Sequence, residues 1–443
     1  MLMVAEWLRV RGRRGRVAAI AGASAGLAAA LAMGVSIEQE RRADALLAQA
    51  RARLTAPFLE APTLDRLQAS TAISLLERAR SLGRDGHEIR GFLHYAEAIE
   101  DLQRGDLILA EGELATALTH LGPTVDLHVL AAALSRARML NEEAEREIAA
   151  ALASDPGHLR GRLLAADLAL DRGDGAAARD HLERLAAEEP RSGPVWNRLG
   201  LARELLGDFA GAERAYRRAT ELDRLGQDPW INLGRLLRSA GRHDEALAAF
   251  ENAVARAPSD PAARLGRGLC RFLARDVGGA MQDFERAAEL APNDAEPLLA
   301  LGDLLRDAGR IDEAIATYRR AIEREDADAA SWLKLGNALG LAGRWEEARA
   351  AFAQAVARAP ALGAARNGLG AALMHLGRIA EAGEELERAA ALDPVDPNPL
   401  LNLALLRERE GDREAARRAW RRVLERAPGL PIAEARLARL ERG

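Results

Sequence analysis

Trp196 and Trp230 stand 34 residues apart, and Trp332 lies three further periods along the chain. Counting both ways from them places ten units, starting at Gly91, Val125, Leu159, Gly193, Gln227, Pro261, Ala295, Ala329, Gly363 and Pro397. No insertion or deletion is needed through Leu430. One register reads Ala in all ten units, from Ala110 to Ala416, and a second is always Gly or Ala, from Ala98 to Ala404. A period of this length restricts the chain to a repeat architecture. Each unit is one supersecondary piece that cannot bury its apolar face alone, so neighbours must stack to build a continuous core.

Composition says what the units are made of. Ala supplies 97 of the 443 residues, aromatic residues only 4%, and Ala, Leu, Arg and Glu dominate, all good helix formers. Such a chain packs many helices closely through small side chains, so the expected fold class is all-α. Each unit has about 14 helix-forming residues and then, in six units, a Gly (Gly207, Gly241, Gly309, Gly343, Gly377, Gly411) suited to the left-handed residue that ends a helix. A second amphipathic run follows. Pro156, Pro190, Pro258, Pro292, Pro360, Pro394 and Pro428 stop it and open the next unit.

This pattern resembles the tetratricopeptide repeat (TPR) family. Trp230, Leu233, Gly234, Gly241, Ala246, Phe250, Ala253 and Pro258 match the family motif position by position, and Trp332 to Pro360 match it again. The resemblance implies a right-handed α-solenoid of about ten helix-turn-helix units over residues 91–430. It departs from the motif at His94, His128 and Arg162, where the family carries a large residue. Arg275 replaces the turn Gly, and a looser bend is expected there. Residues 431–443 read as a C-terminal capping helix. Residues 38–90 fall outside the period: Glu38–Ala56 and Thr63–Leu82 read as connecting or capping helices.

In TPR-like chains the first helix of each pair lines a concave groove that takes an extended peptide or a partner helix. The candidates facing it here are Asn197, Asn232, Arg235, Arg238, Asp303, Arg306, Lys334, Asn337, Asn367 and Asn402. Asn amides can bond a peptide backbone whatever its sequence, and Arg can clamp a carboxylate with two parallel bonds. Asn232 and Asn402 fit an Asn ladder along the groove, but Arg198, Gly266, Ala300, Lys334 and Gly368 interrupt it. Ordinary solvated polarity on a wet face explains the same residues.

The N-terminus points to a membrane. Residues 1–16 form a basic tail with Arg9, Arg11, Arg13, Arg14 and Arg16, and Val17–Ile37 is an uncharged stretch of spanning length. The positive-inside rule holds residues 1–16 in the cytoplasm and places the repeats outside, periplasmic in a bacterium. A cleaved signal peptide fits the same residues, with Ala30-Leu31-Ala32 as the processing site and a secreted or periplasmic product. Within the stretch, Gly22 and Gly26 belong to a row of small residues at four-residue spacing that would let two membrane helices associate. The Gly22-Ala23-Ser24-Ala25-Gly26 string matches a nucleophile elbow only in letters, since an apolar helix supplies no strand-to-helix turn.

Several function classes are excluded or disfavoured. The net charge of −5 argues against a nucleic-acid binder, and the lone Cys270 rules out an intramolecular disulfide or a Cys-based zinc site. No phosphate loop or H-E-x-x-H motif occurs. The spacing of His87 and His94, or of His120 and His128, is read as placing neither pair on one helical face. No catalytic residue, cofactor or metal site is therefore expected. The expected function is non-enzymatic: a scaffold or adaptor of the bacterial cell envelope that binds a protein partner in its groove. A self-assembling oligomer and the recognition subunit of a separately encoded enzyme, such as a glycosyltransferase, are the alternatives.

Overall fold

The structure, a computed structural model, describes residues 13–55, 66–223, 226–324 and 328–442, with side chains from residue 28 onward. Among them are 23 helices and no strand. The chain divides into two compact units, residues 1–224 and 225–443.

In the first unit, α1 (Arg13–Thr55) and α2 (Arg66–Ser81) precede four helical pairs. These are α3 (His87–Arg104) with α4 (Leu107–Leu121), and α5 (Val125–Ala137) with α6 (Asn141–Ser154). Next come α7 (Leu159–Asp171) with α8 (Gly175–Glu188), and α9 (Gly193–Leu205) with α10 (Phe209–Leu222). In the second unit the pairs continue as α11 (Asp228–Ser239) with α12 (His243–Arg256), and α13 (Pro261–Leu273) with α14 (Val277–Leu290). They are followed by α15 (Glu296–Asp307) with α16 (Ile311–Ile322), and α17 (Ala329–Leu341) with α18 (Trp345–Arg358). The last are α19 (Gly363–His375) with α20 (Ile379–Leu392), and α21 (Asn398–Glu410) with α22 (Arg413–Arg426), closed by α23 (Pro431–Arg442).

Local sequence accounts for the turns inside the pairs. Gly207, Gly241, Gly309, Gly343, Gly377 and Gly411 all adopt φ between 71° and 78°. Two devices then start the second helix. After Gly207 and Gly411 an Asp caps it, with the Gly211 amide donating to Asp208 at 2.8 Å and the Ala415 amide to Asp412 at 2.9 Å. After Gly241, Gly309, Gly343 and Gly377 an Arg takes that position and pairs with a Glu three residues on, as Arg310 does with Glu313 at 2.6 Å. The expected looser bend at Arg275 does not occur. Arg275 itself takes φ 64°, as Met139 takes 61°, so both keep the tight turn and carry the strain of a left-handed non-glycine residue.

Close packing within most pairs rests on one exchange. A Cβ on Gly302 would lie 2.4 Å from the ring of Tyr318, and one on Gly200 2.4 Å from Tyr216. Where the facing residue is the smaller Leu114, Ile148 or Leu182, the Gly register holds Ala98, Ala132 or Ala166, all fully buried. In these pairs the core trades a methyl in one helix for an aromatic ring in the next; Gly370 facing Leu386, and Ala404 at the register of Trp420, do not follow the trade.

The N-terminal helices differ from expectation. Instead of a separate helix beginning near Glu38, α1 runs unbroken through that point. Its Ala43, Leu47, Ala50 and Leu54 share one buried cluster with Ala72 and Leu76 of α2 and with α3–α5, so α1 and α2 extend the core of the first repeats. The side chains of residues 17–27, Gly22 and Gly26 included, lie outside the described set, as does the tail up to residue 12. Among the described residues no helix is long and apolar enough to cross a membrane. Leu31, Met33, Val35 and Ile37 on α1 are exposed.

Candidate partner-binding face

Within each unit the first helices of neighbouring pairs approach one another directly, so they form a common face. In the second unit that face is built by α11, α13, α15, α17, α19 and α21. It holds nine of the ten candidates named from sequence; Asn197, half-buried on α9, belongs to the first unit.

The structure gathers some of the nine and separates others. Asp303 is a node: Tyr318 donates to it at 2.7 Å, Arg306 approaches at 3.1 Å, and Lys334 of the next first helix pairs with it. The buried Tyr318 hydroxyl is pushed far above the usual phenol range by desolvation and by this carboxylate. Asn402 donates to Asn367 across two repeats at 2.8 Å, one rung of an amide ladder. The charge of Arg238 on α11 acts on Cys270 of α13. Burial pushes the Cys270 thiol up to about 11, which the Arg238 charge only partly offsets, so the sulfur stays protonated and unreactive. Asn232 is half-buried, whereas Arg235 and Asn337 are exposed.

A pattern missed in the sequence links the departures from the motif. The fourth residue of each unit meets the residue 19 positions on, in the second helix. Where the former is Trp196, Trp230, Trp332 or Leu400, the latter is Ala215, Ala249, Ala351 or Ala419. Where it is basic, the partner is acidic in four units: His94 with Glu113 at 2.5 Å, His128 with Glu147 at 2.7 Å, Arg264 with Asp283 at 3.7 Å and Arg366 with Glu385 at 2.7 Å; Arg162 is the exception, with His181 at that place and its acid, Glu188, 26 positions on at 2.8 Å. The residue 26 positions on completes the site, as when Arg256 stacks over Trp230 at 4.8 Å and Arg358 over Trp332 at 5.1 Å. Comparing the two registers against the period would have exposed this compensation.

The reading of the histidines is also corrected. His87 and His94 are seven residues apart, two full helical turns, and share a face of α3 that meets His120 of α4. The Nδ1 atoms of His87 and His120 lie 3.0 Å apart, and the His94 and His120 rings stack with centroids 6.0 Å apart. His120 is held below the usual imidazole range by desolvation and by the His87, His94 and Arg90 charges. The Glu97 carboxyl is pushed up by burial and by Glu113.

Comparisons with known proteins agree with the fold. Tetratricopeptide repeat models match residues 163–229, 231–295, 299–362, 333–397 and 400–429. A TPR repeat-containing protein of Pseudomonas aeruginosa is 43% identical over 47 residues, a match spanning 11% of this chain and 45% of that protein. Among solved structures, yeast Tom70 is similar over 91% of this chain and 96% of its own, with a TM-score of 0.42 at 14% identity. A chain of the APC/C hetero-tetramer Cut9-Hcn1 is similar over 77% and 83%, with a TM-score of 0.46 at 14% identity. YrrB, a TPR protein with an unusual peptide-binding site, is similar over 42% and 97%, with a TM-score of 0.36 at 24% identity. With a 34-residue period, paired helices and family models matching more than half of its length, the chain belongs to the tetratricopeptide repeat family.

Proposed function

We propose that this chain is a non-enzymatic scaffold that holds a protein partner against the first-helix face of its second unit. TPR repeats typically mediate protein–protein interactions. The observation that carries the reading is the charge of the two helices that open this face. Between them α11 and α13 bear five arginines (Arg235, Arg238, Arg264, Arg267, Arg271) against Asp228 on the same helices and Asp283 of α14, which Arg264, Arg267 and Arg271 share, so the surface keeps a positive excess. A segment presenting carboxylates fits such a surface, with the Asn367–Asn402 rung available to backbone amides further along.

The setting we propose is the bacterial cell envelope, with Val17–Ile37 as the membrane segment and the repeats outside the cytoplasm. The arginines before that stretch support this, as do the exposed Leu31, Met33, Val35 and Ile37. The test is a mass-spectrometric pull-down from alkali-washed membranes with the full chain, beside the variant Asn232→Ala/Arg235→Ala/Asn402→Ala. A partner recovered with the parent and lost with the variant is the expected outcome. The same partner held equally by both would refute the face. Recovery of the chain alone would favour self-association through the Gly22/Gly26 stretch.

A further inference from the structure

The compensating pairs leave one repeat out of balance. His128 with Glu147 is a simple pair, because the residue three after His128 is Ala131. One period earlier the same geometry recurs as His94 with Glu113, but the corresponding residue there is Glu97. Its carboxylate lies 3.2 Å from the same His94 Nδ1 that meets Glu113 at 2.5 Å. One imidazole nitrogen therefore faces two carboxylates, and among the described residues neither Glu has an arginine partner. Arg267, at the Glu97 register five units on, belongs to the opposite case, where arginines surround Asp283.

We propose that His94, Glu97 and Glu113 bind a divalent transition-metal cation, with Zn²⁺ as the model ion. Their three donor atoms all lie within 4.8 Å of one another. Ligands held at about 2.0–2.2 Å from a tetrahedral Zn²⁺ are spaced roughly 3.4 Å apart, so small side-chain rotations close the set around an ion. A mixed nitrogen and oxygen set suits Zn²⁺ and its neighbours better than Mg²⁺ or Ca²⁺, which favour oxygen alone. The three side chains are 29%, 37% and 31% exposed, so an ion reaches them from solvent without unfolding. His120 stacks on His94 and fixes the ring plane. Its bond to His87 places both rings on a pocket of about 430 Å³ that also contains Arg51, Phe92, Tyr95 and Asp126. A bound ion would tie α3 to α4 in the first repeat. The site is independent of the face proposed for the partner.

The neighbouring repeat supplies the control. Glu97→Ala recreates the composition of the units carrying Ala131 and Ala165, and Glu97→Gln keeps the side-chain size while removing the charge. The full chain, with a tag lacking histidine and stripped with chelator, is titrated with Zn²⁺ by calorimetry and with Co²⁺ by absorption. The parent is expected to bind one equivalent, with the visible bands of a low-symmetry Co²⁺ site. Loss of an outer partner alone weakens metal sites about 10–100-fold, so Glu97→Ala and Glu97→Gln are expected to weaken binding by at least that much. His128→Ala is expected to leave it unchanged. No binding by the parent, binding by the Glu97 variants as tight as the parent's, or an equal loss in His128→Ala would overturn the proposal.

Discussion

Replacing Asp283 with Ala is expected to destabilise the second unit by about 3–5 kcal/mol, the range for breaking a buried ion pair from one side. Asp283 is 1% exposed. Its carboxylate accepts from Arg267 at 2.6 Å and 2.9 Å and from Arg271 at 2.9 Å, with Arg264 at 3.7 Å. The Arg267 guanidinium is held above its usual range chiefly by its bond to Asp283. Removing the acid leaves three half-buried guanidinium groups facing one another. Native-state hydrogen exchange of α13 and α14 amides should speed up by about two to three and a half orders of magnitude, at tenfold per 1.4 kcal/mol. The compensating replacement follows from the other repeats: Arg264→Trp, Arg267→Leu and Asp283→Ala together recreate Trp230, Leu233 and Ala249. This triple variant should recover most of the loss, since apolar groups of similar volume often replace a buried ionic cluster at no cost. A single Asp283→Ala as stable as the parent would show that the cluster contributes nothing.

Trp420→Ala should cost a similar amount, about 3–5 kcal/mol, at the other end of the second unit. The indole is fully buried in a cluster with Leu386, Leu403 and Ala433, and its Nε1 donates to Glu408 at 2.6 Å. Arg436 of α23 donates to the other oxygen of Glu408 at 2.9 Å. The substitution opens a cavity and removes one of the two donors that hold this carboxylate, so α23 should become the first segment to exchange. Trp420→Phe places at this register the ring found at Phe250, Phe284 and Phe352. It removes mainly the hydrogen bond, at about 1.5–3 kcal/mol for one made to a charged group. Equal exchange in α23 for the Ala variant and the parent would contradict this account.

The helical pairs were legible in the sequence because their causes are local and recur every 34 residues. Turn glycines, prolines and the Gly/Ala register each mark a fixed point of the period. Arg275 was misread because the residue type was taken to set the backbone, whereas packing on both sides imposes the left-handed turn on it. The joining of α1 and α2 to the first repeats was hidden because Ala43, Leu47, Ala50 and Leu54 follow no 34-residue pattern. The candidate face was legible as a list of polar positions but not as partnerships. Asp303 with Lys334, and Asn367 with Asn402, join residues 31 and 35 apart, which are neighbours only once consecutive repeats stack. The His94 cluster was missed for a simpler reason: two full helical turns return His94 to the face of His87.

In the proposed mode of binding the first helices, not the second, hold the partner. Photo-crosslinking in cells tests it most directly, with a photoreactive residue placed in the full chain at Arg235 or Asn337 on first helices and at Gln282 or Gln354 on second helices. All four positions are exposed. Adducts with another protein are expected from positions 235 and 337 and none from 282 and 354. Adducts only from the second-helix positions would contradict this mode of binding.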